Sequence, residues 1–305
     1  VPLKGAALLG AAYPNIAVRP LGDLDLLVAP ADMALADEAL AARGYARLLT
    51  GIPALRHHLE FERILPGGVR LVVEVHRRPL AAPGLERALP AERVLADAAP
   101  DPLAGGPSIP SPEHLLLHVA AHLVVQHAGE ERLIWVADID RIARRWFAAS
   151  TDAAAERAAR RRVLAAAEAA GLEAALGAAL EAAALWFGTP WPEAADAARG
   201  TGARTAPGLA RLRDHAPIGR EGARVLGDAR GLPSWRARLA FALRSAFPPP
   251  AYMRAWYGVD RPARLPIYYA ARLGRGLWHL AAHAARPASA RTMAAEPPER
   301  WMIDG

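Results

Sequence analysis

Two acids on a short apolar run constrain this chain more than any other part of it. Arg19-Pro20-Leu21-Gly22-Asp23-Leu24-Asp25-Leu26-Leu27-Val28 sets an Asp-x-Asp pair at the head of a Leu/Val segment. Leu24 to Val28 contains no Gly or Pro and reads as a buried strand. Residues two apart on a strand share a face, so Asp23 and Asp25 are expected to point the same way. Paired carboxylates repel and are costly to desolvate. A hard cation such as Mg²⁺, which takes oxygen ligands, is the usual reason to keep them together, although solvated turns and strand ends carry such pairs too.

The flanks narrow the reading. Lys4-Gly5 follows an apolar opening and precedes a helix-like Ala/Leu run. A glycine at such a turn lets backbone N–H groups approach a phosphate, and a helix N-terminus favours negative charge. Downstream, Val69 to His76 reads as a second strand, with Glu74 and His76 on one face and Leu71, Val73 and Val75 on the other. A glycine turn, an Asp-x-Asp and a third strand-borne acid make up the metal-and-phosphate apparatus of nucleotidyl transfer.

These residues carry a family resemblance. Lys4-Gly5, Tyr13, Arg19, Gly22-Asp23-Leu24-Asp25-Leu26-Leu27-Val28, Gly44-Tyr45 and Val73-Glu74-Val75-His76 resemble the uncharacterised nucleotidyltransferase family of the DNA polymerase β-like superfamily. The resemblance implies an α+β fold, a small mixed-sheet palm followed by a mostly α-helical domain. It implies Mg²⁺, as one ion or two with Mn²⁺ as a substitute, and a nucleoside triphosphate such as ATP. The nucleoside monophosphate would pass to an acceptor hydroxyl on a small molecule, a peptide or a protein. Gly5 would be the phosphate-turn glycine, Asp23 and Asp25 the metal ligands, and Glu74 the third carboxylate. Position 6 is Ala where the superfamily pattern has Ser, and the gap from Gly5 to Asp23 is longer than usual. That departure keeps open a catalytically degenerate binding module. An antitoxin-type enzyme that modifies a protein partner is a third reading.

Composition removes other classes. There is no cysteine, hence no disulfide framework, zinc-thiolate site or thiol nucleophile. Hydrophobic residues make up 53% of the chain, enough for a sizeable core, yet no apolar run reaches the ~18 residues that span a bilayer. Abundant Ala and Arg beside a single Lys fit a GC-rich, bacterial genome, and the expected location is cytoplasmic. The net charge of +6 suits a polyanionic ligand. Its arginines are scattered through helices without interleaved aromatics, which disfavours nucleic acid. The chain has no nucleophile-elbow, Walker or dinucleotide fingerprint.

Along the chain, Val1 begins where a first strand should be ending, so a preceding segment is expected to be missing. Pro30 to Arg43 reads as a helix with Leu35, Ala39 and Leu40 as its apolar stripe and Gly44 as its stop. Tyr45 to Thr50 reads as a short strand. His58 to Leu65, Pro66-Gly67-Gly68 and Val69 to His76 form a hairpin. A Pro/Gly-rich connection from Pro79 to Pro112 divides a palm of residues 1–105 from a helical domain of 106–305, whose tail is loosely held from about 286. Ser111-Pro112-Glu113 is a helix start. Helices are expected over Glu113 to His127, Arg132 to Phe147, Asp152 to Ala170 (capped by Ser150-Thr151), Leu172 to Phe187, Ser234 to Phe247, Ala251 to Tyr257 and Pro266 to Ala285. Gly188 to Pro233 is expected to be irregular.

Several side chains have two readings each. His114, His118 and His122 line one helix face. They are either a chelating row, with Asp138 or Asp140 adding an oxygen, or hydrogen-bonded groups in a buried interface. If that helix packs on the palm, His118, His122 or Asp138 borders the site. The resemblance adds weight to His122 and Asp138 as substrate contacts. Arg19 either neutralises triphosphate charge or pairs with Asp23. Lys4 is a phosphate contact or a solvated cation. His76 is an orienting group or base, or a satisfied strand-end histidine. Tyr252, Trp256, Tyr257, Tyr268 and Tyr269 at helical spacing read as core more than as a basic-aromatic surface.

Overall fold

The computed structural model describes residues 1–49, 56–82, 85–100, 107–126, 133–148, 152–191, 229 and 232–284. Helix α1 (Lys4–Leu8) precedes strand β1 (Leu24–Leu27), helix α2 (Met33–Ala41), strand β2 (Ala46–Arg47), strand β3 (His58–Ile64) and strand β4 (Arg70–His76). The sheet runs β1-β4-β3-β2. β1 lies parallel to β4, with Asp25 opposite Glu74 and Leu27 opposite His76. β4 returns antiparallel on β3, with Glu60 opposite Glu74 and His58 opposite His76. Parallel strands need a crossover connection, and α2 with the β2–β3 excursion supplies it. The hairpin turns at Gly67 and Gly68, whose φ values of 88° and 80° suit glycine. Val1 to Leu3 runs along the other edge of β1. Leu27 N–H donates to the Val1 carbonyl at 2.7 Å and Leu3 N–H to that of Asp25 at 2.9 Å.

Alternation gives the sheet two unlike faces. On one, Phe61, Val73 and Val75 are buried beneath Leu26, Met33, Ala36 and Leu40. The buried stripe of α2 is therefore Met33, Ala36 and Leu40. Leu35, expected in that stripe, is 64% exposed, because five residues separate it from Leu40, about 140° around a helix of 3.6 residues per turn. The other face carries Asp25, Glu74, His76, His58 and Glu60, with Leu27 the buried apolar member of that set.

Helix α3 (Ala91–Ala96) and then α4 (Pro112–Ala121), α5 (Leu133–Ile142), α6 (Ala153–Ala170) and α7 (Glu173–Phe187) build the larger core. Ser111 Oγ accepts from His114 N–H at 3.4 Å with Pro112 as the first helical residue, the expected start. Eight consecutive residues of α4, His114 to Ala121, are buried, so this helix is enclosed on every side. One apolar cluster joins Leu3, Ala7, Leu8, Tyr13 and Leu27 to Leu115, Leu116, Ile139, Val163 and Leu176. Asp152 caps α6 by accepting from Ala154 N–H at 2.8 Å, while the expected cap residues Ser150 and Thr151 lie outside the described residues. Both α4 and α5 run on into π-helical turns, at His122–Gln126 and Ala143–Phe147.

Helices α8 (Trp235–Ala246), α9 (Pro250–Tyr257) and α10 (Leu265–Ala284) follow. Tyr257 of α9 meets Tyr268 of α10 at 5.5 Å and Tyr269 Oη donates to the Pro248 carbonyl, which packs α10 against α9. Tyr252 is buried as expected, whereas Trp256, stacked on it within α9 at 5.6 Å, is 46% exposed and not core. The domain junction at 105, nearly all of the irregular stretch and the tail lie outside the described residues. Among those described, no helix is long and apolar enough to cross a membrane.

Candidate functional site

The polar sheet face gathers the acids. Asp25 and Glu74 are neighbours in the β1–β4 ladder, and the Asp25 side chain is only 5% exposed. Its Oδ1 accepts from Lys4 Nζ at 2.7 Å and meets His76 Nε2 at 2.7 Å. His76 Nε2 is also 3.2 Å from Glu74 Oε2. Burial alone would raise the Asp25 pKa, but the His76 hydrogen bond and the Lys4 ammonium prevail and hold it well below the carboxylate range. Burial would likewise raise Glu74, and bonds and charge from His76, His58 and Lys4 lower it. His76, wholly buried, would be neutral by desolvation, yet Asp25 and Glu74 raise its pKa. Asp25 and His76 thus shift in opposite directions, as an ion pair requires.

Asp23 stands just before β1 and is exposed. Desolvation and then repulsion from Asp25 and Glu74 raise its pKa, so the three acids act on one another. Asp25, Glu74 and His76 each bring a ligand atom within 4.8 Å of the others, a set that excludes Asp23. Carboxylate oxygens at this spacing suit a divalent cation.

Lys4 and Gly5 open α1 beside this face. Lys4 has φ 47°, a left-handed conformation that costs a non-glycine residue of order 1–3 kcal/mol. It delivers the ammonium to Asp25. A Cβ on Gly5 would stand 2.4 Å from Arg19 Cζ. Arg19 is buried and bound to Asp138, and Tyr13 Oη donates to the same carboxylate at 2.8 Å. Burial raises the Asp138 pKa, opposed by Arg19 and Tyr13. Arg19, Asp138 and Tyr13 thus tie the opening segment to α5.

His122 packs edge-on against Trp135, ring centroids 5.3 Å apart. His118 is the α4 histidine nearest the acids in effect. Burial first, then Lys4 and His76, push its pKa down to about 3, with Asp25 opposing. Asp140 holds Arg144 at 2.7 Å and Thr189 at 2.8 Å. Among the described residues, no group able to hold a metal includes His114, His118, His122, Asp138 or Asp140.

Sequence reasoning passed over His57 and His58. His57 Nε2 and His58 Nδ1 are 3.1 Å apart, and both rings lie within about 5 Å of His76. The signal was available: counting outward from the Pro66-Gly67-Gly68 turn pairs residue 58 with 76 and 60 with 74.

Residues 1–188 match the model of a family described as an uncharacterised nucleotidyltransferase. No curated protein and no solved structure matches the chain.

Proposed function

The chain belongs to that uncharacterised nucleotidyltransferase family, and from this premise we propose that it transfers a nucleoside monophosphate from an NTP such as ATP to an acceptor hydroxyl with a divalent cation, Mg²⁺ or Mn²⁺. The acceptor oxygen would bond to the α-phosphorus as the bond to the bridging oxygen breaks and pyrophosphate leaves. Asp25 and Glu74, with Asp23 at the strand entrance, are the residues that would hold the cation. Bound there, it would neutralise charge developing on the phosphate oxygens. The observation that carries the reading is Asp25 opposite Glu74 in the ladder with Asp23 within electrostatic reach.

The chain's own groups divide the remaining work. Lys4 would add positive charge toward the triphosphate once a cation takes its place on Asp25, and Gly5 keeps side-chain bulk away from the α1 entrance. Glu74 would accept the acceptor's proton, oriented by the hydrogen bond from His76. The palm, residues 1–105, would carry nucleotide and cation, and the helical part from 106 would present the acceptor. His118, which senses Lys4, His76 and Asp25, joins His122 and Asp138 as the helical residues to vary.

The test is transfer of labelled nucleotide from each NTP in the presence of Mg²⁺ by the parent chain and by Asp25→Asn. Loss in the variant, with its fold verified, supports the reading, and undiminished transfer overturns it. A specific observation favours a second reading, the degenerate binding module. Lys4 and His76 already satisfy Asp25 Oδ1, and Ala6 stands where the superfamily pattern has Ser. Calorimetry separates the two, because a degenerate palm shows no Mg²⁺-dependent NTP binding.

A further inference from the structure

Three imidazoles crowd the same face, and nucleotidyl transfer calls on only one of them. His57 sits at the bend before β3, His58 opens that strand, and His76 ends β4 directly opposite His58. Ring centroids are 4.3 Å apart for His57 and His58, 5.1 Å for His57 and His76, and 5.0 Å for His58 and His76. One nitrogen from each ring falls within 4.8 Å of the others. His57 Nε2 to His58 Nδ1 is 3.1 Å, and His58 Nδ1 to Glu74 Oε2 is 3.7 Å. Two nitrogen ligands about 2.0–2.1 Å from a tetrahedral zinc stand about 3.3 Å apart. The 3.1 Å and 3.7 Å separations bracket that spacing.

A second observation is independent of the spacing. His76 is fully buried, and its Nδ1 has no hydrogen-bond partner, while Nε2 is engaged by two carboxylates. An orphaned buried ring nitrogen is the kind of group that a ligand satisfies, and carboxylates that orient a histidine are a regular part of metal sites. The His58 and Glu74 side chains are 20% and 18% exposed, which leaves a path from solvent.

We infer that His57, His58 and His76, together with Glu74, form a binding site for a zinc-class divalent transition metal. Imidazole donors favour such ions, whereas Mg²⁺ prefers an all-oxygen set. The site shares Glu74 and His76 with the proposed transfer machinery, while His57 and His58 have no part in that machinery.

The test titrates the metal-stripped full chain with Zn²⁺ against a chromophoric chelator, with no nucleotide present, and then with Co²⁺ to read its visible d–d bands. One equivalent of Zn²⁺ is expected, bound far more tightly than Mg²⁺, with intense low-symmetry Co²⁺ bands. His57→Gln and His58→Gln should each weaken Zn²⁺ by about tenfold or more while the metal-free melting temperature stays near the parent's. Parent-like uptake in both variants, or a parent chain without such Co²⁺ bands, overturns the site and reduces the contact to an imidazole–imidazole hydrogen bond. If a variant fails to fold, the cobalt spectrum of the parent decides. A parent that transfers nucleotide with Mg²⁺ yet takes up no Zn²⁺ refutes this inference alone.

Discussion

Arg19 grips Asp138 through two hydrogen bonds, Nε to Oδ1 at 3.0 Å and Nη2 to Oδ2 at 2.6 Å, across 119 positions of sequence. Both groups are buried, so the pair is screened little by solvent. Its value lies in what happens when one partner goes. Asp138→Asn leaves a buried guanidinium without its counter-charge, and the expected loss is about 3–5 kcal/mol. Tyr13→Phe removes one neutral donor to the same carboxylate and should cost about 1 kcal/mol. Urea denaturation of both variants and the double variant checks this, and losses that simply add would deny a shared network.

Gly5 depends on that pair. A Cβ at position 5 would meet Arg19 Cζ and Nη1 at 2.4 Å and Nη2 at 2.7 Å. A free arginine tip would swing aside, but this one is fixed by Asp138 and donates to the Pro20 carbonyl. Gly5→Ala should therefore destabilise the chain by about 1–3 kcal/mol, seen as a lower urea midpoint. A midpoint equal to the parent's would mean that Arg19 relocates freely.

The acid cluster was legible from the chain because strand periodicity is local. Asp25 and Glu74 each sit at a set phase on an apolar run, and any parallel pairing in that phase brings them to one face. The hairpin was legible from its glycines. Arg19 was not, because its partner Asp138 is on another element and no local pattern signals a pairing over that distance. Asp23 stands at the strand entrance, beside the group formed by Asp25, Glu74 and His76, because it precedes β1 and no ladder partner fixes it. His57 and His58 carry no local signal of their own; the hairpin register alone sets His58 opposite His76. Leu35 leaves the buried stripe of α2 because it and Leu40 are five residues apart and cannot share one helix face.

Lys4 lies in the left-handed region at φ 47°, and its ammonium bonds Asp25. Two substitutions separate conformation from charge. Lys4→Ala and Lys4→Gly both remove the ammonium, but only glycine adopts positive φ without strain. Lys4→Gly should be the more stable of the two by about 1 kcal/mol in urea unfolding. Equal stabilities would place no strain at this residue.

Acid should loosen the fold through His118. Desolvation, followed by the positive charges of Lys4 and His76, holds its folded pKa at about 3, against about 6.5 in an unfolded chain. Between those values the unfolded chain binds more protons, so stability falls as pH falls. His58, down at about 4 in the fold, acts in the same direction. The Asp25–His76 pair has the opposite limit on its alkaline side. The depressed Asp25 contributes stability above about pH 3.9, and the raised His76 contributes it below about 6.5, lost as pH climbs through its folded value. Melting temperature should thus drop from pH 6.5 toward 4. His118→Gln, which cannot titrate, should flatten that acid limb relative to the parent while leaving the alkaline decline in place. An unchanged acid slope in His118→Gln would remove His118 as its source and leave His57, His58 and His114, all likewise lowered by burial, to account for it.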